Sequence, residues 1–177
     1  MADGNGMIFD NLEDKNAVIM IDVKNKKVMN RYPLAPCEAP TGLAMDRPGR
    51  RLFVACDNNL LAVMNADNGK VITTLPIGAG ADAVGYDSNE KLIFTSNGKD
   101  GTLTVIKEET PDRYSVIQTV ATEKGARTLA LDEKTHRLIL VTGKFGPAST
   151  PTKDNPHARP PIVAGSVIAL VIGQPPK

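Results

Sequence analysis

One short phrase recurs along this 177-residue chain and limits what it can fold into. It reads Gly42-Leu-Ala-Met-Asp46, then Ala83-Val-Gly-Tyr-Asp87, then Thr128-Leu-Ala-Leu-Asp132. After a short polar turn each copy is followed by a second apolar run: Leu52-Phe-Val-Ala55, Leu92-Ile-Phe-Thr95 and Leu138-Ile-Leu-Val141. The closing aspartates lie 41 and 45 residues apart (46 to 87, 87 to 132). Apolar residues come in short, β-branched runs, and no stretch keeps a helical period. A repeat of roughly 40–45 residues built only from strands is the period of a β-propeller blade. The expected fold is therefore all-β: a propeller arc of about half a ring, in one domain over 1–177.

Four units follow, at about 5–36, 37–79, 80–124 and 125–174. With strands named A to D from the hub outwards, the second unit is complete: Gly42–Asp46, Leu52–Cys56, Leu60–Asn65 and Val71–Pro76. Asp67-Asn-Gly69 marks its last hairpin. The third unit has Ala83–Asp87, Lys91–Ser96, Thr102–Lys107 and Ser115–Val120. Its polar turn Glu108–Arg113 reads as a solvated hairpin tip. The first unit has B, C and D (Met7–Phe9, Ala17–Asp22, Lys27–Pro33) but no A. The fourth has A, B and C (Arg127–Asp132, Arg137–Thr142, Ser166–Ile172) but no D. The sum is fourteen strands, so two copies supply the strands of seven four-stranded blades. An eight-unit ring is equally compatible. Half a ring leaves an apolar face bare at each end, so the expected partner is a second copy, last blade against first.

Bulk properties exclude several function classes. Twenty-one basic and 20 acidic residues give a formal charge of +1, and there is no Trp. No field draws in nucleic acid, and no aromatic platform stacks bases. No apolar run approaches the ~20 residues of a membrane span. The start, Met1–Gly6, is polar and unlike a signal peptide, so the chain as written is expected in the cytoplasm. Cys37 and Cys56 are too few for a disulfide framework. The simpler reading is two separate thiols. Pairing is the alternative, since both fall at loop ends of one unit.

The repeat resembles the YVTN family of lactonase-like propeller repeats. The resemblance rests on the A-strand phrase ending in Asp, on B strands such as Arg51-Leu-Phe-Val54 and Arg137-Leu-Ile-Leu140, on the C strand Val18-Ile-Met-Ile-Asp22, and on Thr73-Thr-Leu-Pro-Ile-Gly78 closing a D strand. The stretch Asn11–Asn16 and the end, Phe145–Pro161, look like the C-terminal half of longer members. The resemblance implies a seven-bladed fold, relatives that are often exported, and little about activity.

Propellers bind ligands over the central channel, on the face carrying the D–A and B–C loops. Glu38, Asp82 and Arg127 precede or open successive A strands and reach that mouth. The B–C loops add Asn11, Glu13, Asp14, Cys56, Asp57, Asn97 and Lys144. Oxygens of Glu38 and Asp82 could hold a divalent cation such as Ca²⁺, which would polarise an ester or lactone carbonyl. The plainer reading has these groups solvating a wet channel, with Asp82 paired to Arg127. The Pro-rich loop 145–164 holds Lys153, Asp154, His157 and Arg159 and is long enough for a lid. His157 is the best general acid/base candidate, and Asp82 and Arg127 at the mouth are the other candidate catalytic residues. His136 reads as an exposed turn residue on the far face. Gly78-Ala-Gly80, with Asp100 about twenty residues on, resembles a dinucleotide loop but is followed by a strand where that chemistry needs a helix. The expected function is a binding or assembly module with a small-molecule site at the mouth. A hydrolase of lactones or esters is the alternative, and a nicotinamide-dependent reductase a weaker one.

Overall fold

The computed structural model describes residues 1–147, 150, 153 and 160–173. Among the described residues, fourteen strands form four antiparallel sheets. The first is β1 (Met7–Leu12), β2 (Ala17–Asp22) and β3 (Lys27–Pro33). The second is β4 (Pro40–Asp46), β5 (Arg51–Cys56), β6 (Leu60–Asn65) and β7 (Val71–Pro76). The third is β8 (Ala81–Asp87), β9 (Leu92–Asn97), β10 (Thr102–Thr110) and β11 (Arg113–Ala121). The fourth is β12 (Thr128–Asp132), β13 (Arg137–Thr142) and β14 (Ile168–Ile172). Each sheet is a meander in chain order. Apart from a 3-10 turn at Glu13–Lys15, no helix occurs among the described residues. The expected strand count and grouping are those found.

The sheets stack as blades, with the inner strands β4, β8 and β12 side by side. At Gly42 a side chain would lie 2.9 Å from the backbone of Ala83, so hydrogen is the substituent that lets these inner strands approach. One core fills each seam. Phe9, Tyr32, Leu52, Val54 and Met64 close the first, Phe53, Tyr86, Ile93 and Ile106 the second, and Leu103, Leu138 and Leu140 the third. This explains the unbroken apolar runs. In β5, Leu52 and Val54 face the sheet before while Phe53 and Ala55 face the sheet after, so both faces are buried. Phe53 sits 4.9 Å from the Tyr86 ring and 5.9 Å, edge-on, from Tyr114.

The first sheet gains an inner segment that its sequence does not announce. Met1–Asp3 runs antiparallel to β1: the Phe9 N–H donates to the Met1 carbonyl and the Asp3 N–H to the Met7 carbonyl. This places Asp3 where Asp46 and Asp87 end the inner strands of the next two sheets. A second regularity lies at the rim. The C–D pairs of the first three sheets each carry a one-residue bulge, leaving Met29, Ile72 and Ile117 unpaired, whereas β13–β14 pairs without a break.

Two expectations are corrected here. The third unit's outer hairpin is not a solvated tip from Glu108. Strands β10 and β11 run on to Thr110 and Arg113, and Glu108 is buried because the Tyr86 hydroxyl donates to it and Lys91 lies nearby. Cys37 and Cys56 are not separate thiols but a disulfide, with Cα atoms 5.8 Å apart. Pro40 opens β4 opposite Cys56, which brings the D–A loop to the end of β5.

Candidate functional site

The D–A and B–C loops enclose a depression of about 840 Å³ at the mouth. Glu13, Asp57, Asp82 and Arg127, all expected there, line it, and Thr41 and Lys99 join them. Two ion pairs cross between sheets on its wall. Lys99 Nζ stands 3.0 Å from Asp57, and Arg127 Nε stands 3.4 Å from Asp82. All four side chains are at least a third exposed, so each pair is worth little, about 1 kcal/mol or less, and opens readily. Half-buried bonds hold the wall behind them: Thr41 Oγ1 donates to the Ala81 carbonyl at 2.7 Å, and Ser96 Oγ donates to the Arg127 carbonyl.

The remaining expected residues lie elsewhere. Asn97 is fully buried at the end of β9, where its amide donates to the Thr102 and Thr104 hydroxyls, so it is structural and not a ligand group. Cys56 is buried in the disulfide and has no free sulfur to offer. Asn11 donates to the Thr41 and Gly42 carbonyls and ties the first sheet to the second. Asp14 is exposed beside Lys15. Glu38 and Lys144 are exposed and are not part of the cavity wall. Glu38 and Asp82 therefore do not share the cavity. Among the described residues no three His, Cys, Asp or Glu side chains converge as a metal site would require. Asp154, His157 and Arg159 lie outside the described residues. The Gly78–Ala83 segment leads into β8, and Asp100 accepts from the Ala79 N–H at 2.7 Å, so this loop is closed upon itself.

Residues that the sequence reading assigned no role form a second constellation, on the opposite ends of the strands. His136 is not merely an exposed turn residue. Its Nδ1 lies 2.6 Å from Oδ2 of Asp87, which ends β8 and is buried. The hydrogen bond to Asp87 holds the imidazole above its ordinary pKa, assisted by the charges of Asp87, Glu90 and Asp132. Burial works against an ionised Asp87, but His136 and the N–H groups of Glu90 and Asn89 outweigh it and keep the carboxyl low. Asp3 behaves alike. Burial opposes its charge, yet the Asn5 and Met7 N–H groups and Arg50 lower its pKa. Arg50 Nη1 stands 3.0 Å from Asp3, and Lys91 Nζ stands 3.8 Å from Asp46. Burial, then Glu108, pushes Tyr86 far above the usual tyrosine range, so its hydroxyl stays a donor. The signal for these contacts was the repeat itself. Arg50, Lys91 and His136 each follow a repeat aspartate by the same interval.

No protein-family model matches the sequence, and neither does any curated protein. Solved structures do resemble the fold. A chain of the Kuenenia stuttgartiensis hydrazine synthase superposes with a TM-score of 0.72 at 14% identity, over 84% of this chain and 42% of that one. The dihydro-heme d1 dehydrogenase NirN gives 0.61 at 16% identity, over 79% and 30%. A chain of the mitotic checkpoint complex gives 0.66 at 15%, over 76% and 42%. These are β-propellers, and so is the arc described here. This chain spans less than half the length of each, and at such identities the likeness is one of fold alone.

Proposed function

We propose that the chain is a ligand-binding and assembly module, a propeller arc that takes a small polar molecule at its mouth. The supporting observation is the depression of about 840 Å³ whose wall carries two exposed, opposed-charge pairs. A ligand bearing both an acid and a base exchanges partners with Arg127, Lys99, Asp57 and Asp82 at small cost, because each resident pair is weak. The volume suits a small molecule, since ligand cavities of roughly 300–1,000 Å³ are usual. The repeat phrases support a YVTN-type propeller within this reading. The Cys37–Cys56 bond favours action in an oxidising compartment rather than the cytoplasm expected from the N-terminus.

The test is a two-dimensional amide titration of the full chain against amino acids, hydroxy acids and lactones. Binding is expected to shift signals of Gly80–Asp82, Gly98–Lys99 and Arg127–Thr128, and Arg127→Ala is expected to weaken it at least tenfold. No shift at these positions from any compound would reject the mouth as the site. Turnover of a lactone or activated ester, abolished by a chelator, would replace the binding module with the hydrolase.

A further inference from the structure

The mouth has two unlike walls. The first three sheets bring charge to it, as Glu13, Asp57, Asp82 and Lys99, and Arg127 adds one more directly before β12. Beyond Arg127, and among the described residues, the fourth sheet brings no charged side chain to the lining. It contributes Val141, Phe145, Ile162 and Val167 instead.

This apolar wall is held in shape. Past β13 the chain pairs with its own return. Phe145 lies opposite Ile162, the Gly146 N–H donates to the Pro161 carbonyl at 2.7 Å, and the Val163 N–H donates to the Lys144 carbonyl at 2.8 Å. Ser166 Oγ ties the base of this ribbon, accepting from the Lys144 N–H at 2.9 Å and donating to the Val163 carbonyl at 2.7 Å. Two glycines seat it. A side chain at Gly125 would lie 2.4 Å from the Phe145 ring, and one at Gly143 would lie 2.9 Å from Ile162. Phe145 and Ile162 thus rest on backbone on one side and stay open on the other, at 48% and 52% exposed, and Val167 on the same wall is 62% exposed. Fixed apolar side chains facing a few convergent charges are what a small-molecule site presents.

Charge and shelf share one loop. Gly125, the seat of Phe145, precedes Arg127 by two residues, and Thr142 Oγ1 fixes that loop to the end of β13 by donating to the Lys124 carbonyl at 3.0 Å. Arg127 Nε stands 3.4 Å from Asp82. A carboxylate and an ammonium borne on one carbon atom lie about as close as this resident pair, so a single ligand centre can meet both partners.

Taking the mouth as the ligand site, we infer that its ligand is a free α-amino acid with a large apolar side chain. The carboxylate pairs with Arg127, the ammonium pairs with Asp82, and the side chain lies over Phe145, Ile162 and Val167. The ion pairs admit any zwitterion, and the shelf of the fourth sheet selects among them.

The full chain is titrated with phenylalanine, leucine, glycine and serine, and binding is read from the amide signals of Gly80–Asp82 and Arg127–Thr128. Phenylalanine and leucine are expected to bind about tenfold more tightly than glycine and serine, the worth of partly covering one large apolar side chain. Phenethylamine and phenylpropionate each lack one charge and are expected to bind about tenfold more weakly than phenylalanine. Phe145→Ser is expected to abolish the preference while leaving glycine within about threefold of its original affinity. Val167→Ser, at a more exposed position, is expected to reduce the preference and serves where Phe145→Ser does not fold. Glycine binding as tightly as phenylalanine at the same signals overturns the shelf and leaves the mouth as a purely polar site. A preference that survives in every variant that folds also overturns it, and so does an amine or acid that binds as tightly as phenylalanine. Absence of any shift removes the mouth itself as a site, and the ligand class with it.

Discussion

At the scale of single residues, the seam between the third and fourth sheets differs from the others in its chemistry. Its cation is the imidazole of His136, the side-chain type whose charge changes near neutrality, where the other two seams carry an arginine and a lysine. Because Asp87 holds the imidazole above its ordinary 6.5, the stability that the pair contributes is complete below about pH 6.5 and is lost as pH rises through the raised value. Asp87 gives the opposite limb: its share is present above about 3.8 and disappears as pH falls through its lowered value. A melting-temperature series from pH 5.5 to 8.5 is expected to decline towards the alkaline end. His136→Lys is expected to flatten that decline, and an unchanged slope would show that the pair does not govern the seam. A second residue-level expectation concerns Phe53, buried between two tyrosines. Phe53→Ala is expected to cost about 3–5 kcal/mol in denaturant unfolding. His136 shows how far one sequence can be read. Its repeat position was visible, but its partner 49 residues away was a matter of how the sheets stack.

At the scale of elements, apolar periodicity and turn residues placed the strands, and β2, β6, β7 and β13 run between the residues expected. What periodicity could not show was which face is covered. Arg137–Thr142 reads as a continuously apolar strand, yet burial alternates along it because only one face has a neighbour. The length of β10 was hidden for a related reason: Glu108 looked like solvent-facing charge until Tyr86 of another strand met it. The disulfide was likewise open, since a spacing of 19 residues does not reveal two loop ends folded together. Closing a loop of that length is worth about 3 kcal/mol through the unfolded chain. Reduction, or Cys37→Ser with Cys56→Ser, is expected to lower unfolding stability by that order in a urea titration. A loss well below 1 kcal/mol would mean that the loop is held by other contacts. Asp3 was missed at this scale because three residues are too few to announce a strand. Asp3→Ala removes the acceptor for two N–H groups and Arg50, and is expected to cost about 1–3 kcal/mol in the same assay.

At the scale of the whole molecule, the cores are separate, one per seam, and among the described residues no side chain belongs to two of them. Stability should then be a sum over neighbouring sheets, as in repeat proteins. Phe53→Ala and Leu140→Ala lie in different cores and are expected to add within about 0.5 kcal/mol when combined. Strong coupling would mean that the arc behaves as a single core. The fold was legible at this scale from the repeat period alone. The mouth was legible in part, because loop order places Glu13, Asp57, Asp82 and Arg127 together, while the inward turn of Asn97 depends on hydroxyls of the neighbouring strand β10. The bulges at the rim bear on how the sheet edges avoid pairing with foreign strands. An unpaired residue in β3, β7 and β11 bends each outer strand, and a bent edge is a poor template for a foreign strand. The outermost strand of the fourth sheet has no such kink and borders an apolar face. On concentration or mild heating, aggregates should therefore grow from β14, and a single lysine at Val171 should slow them more than any change along the three kinked edges.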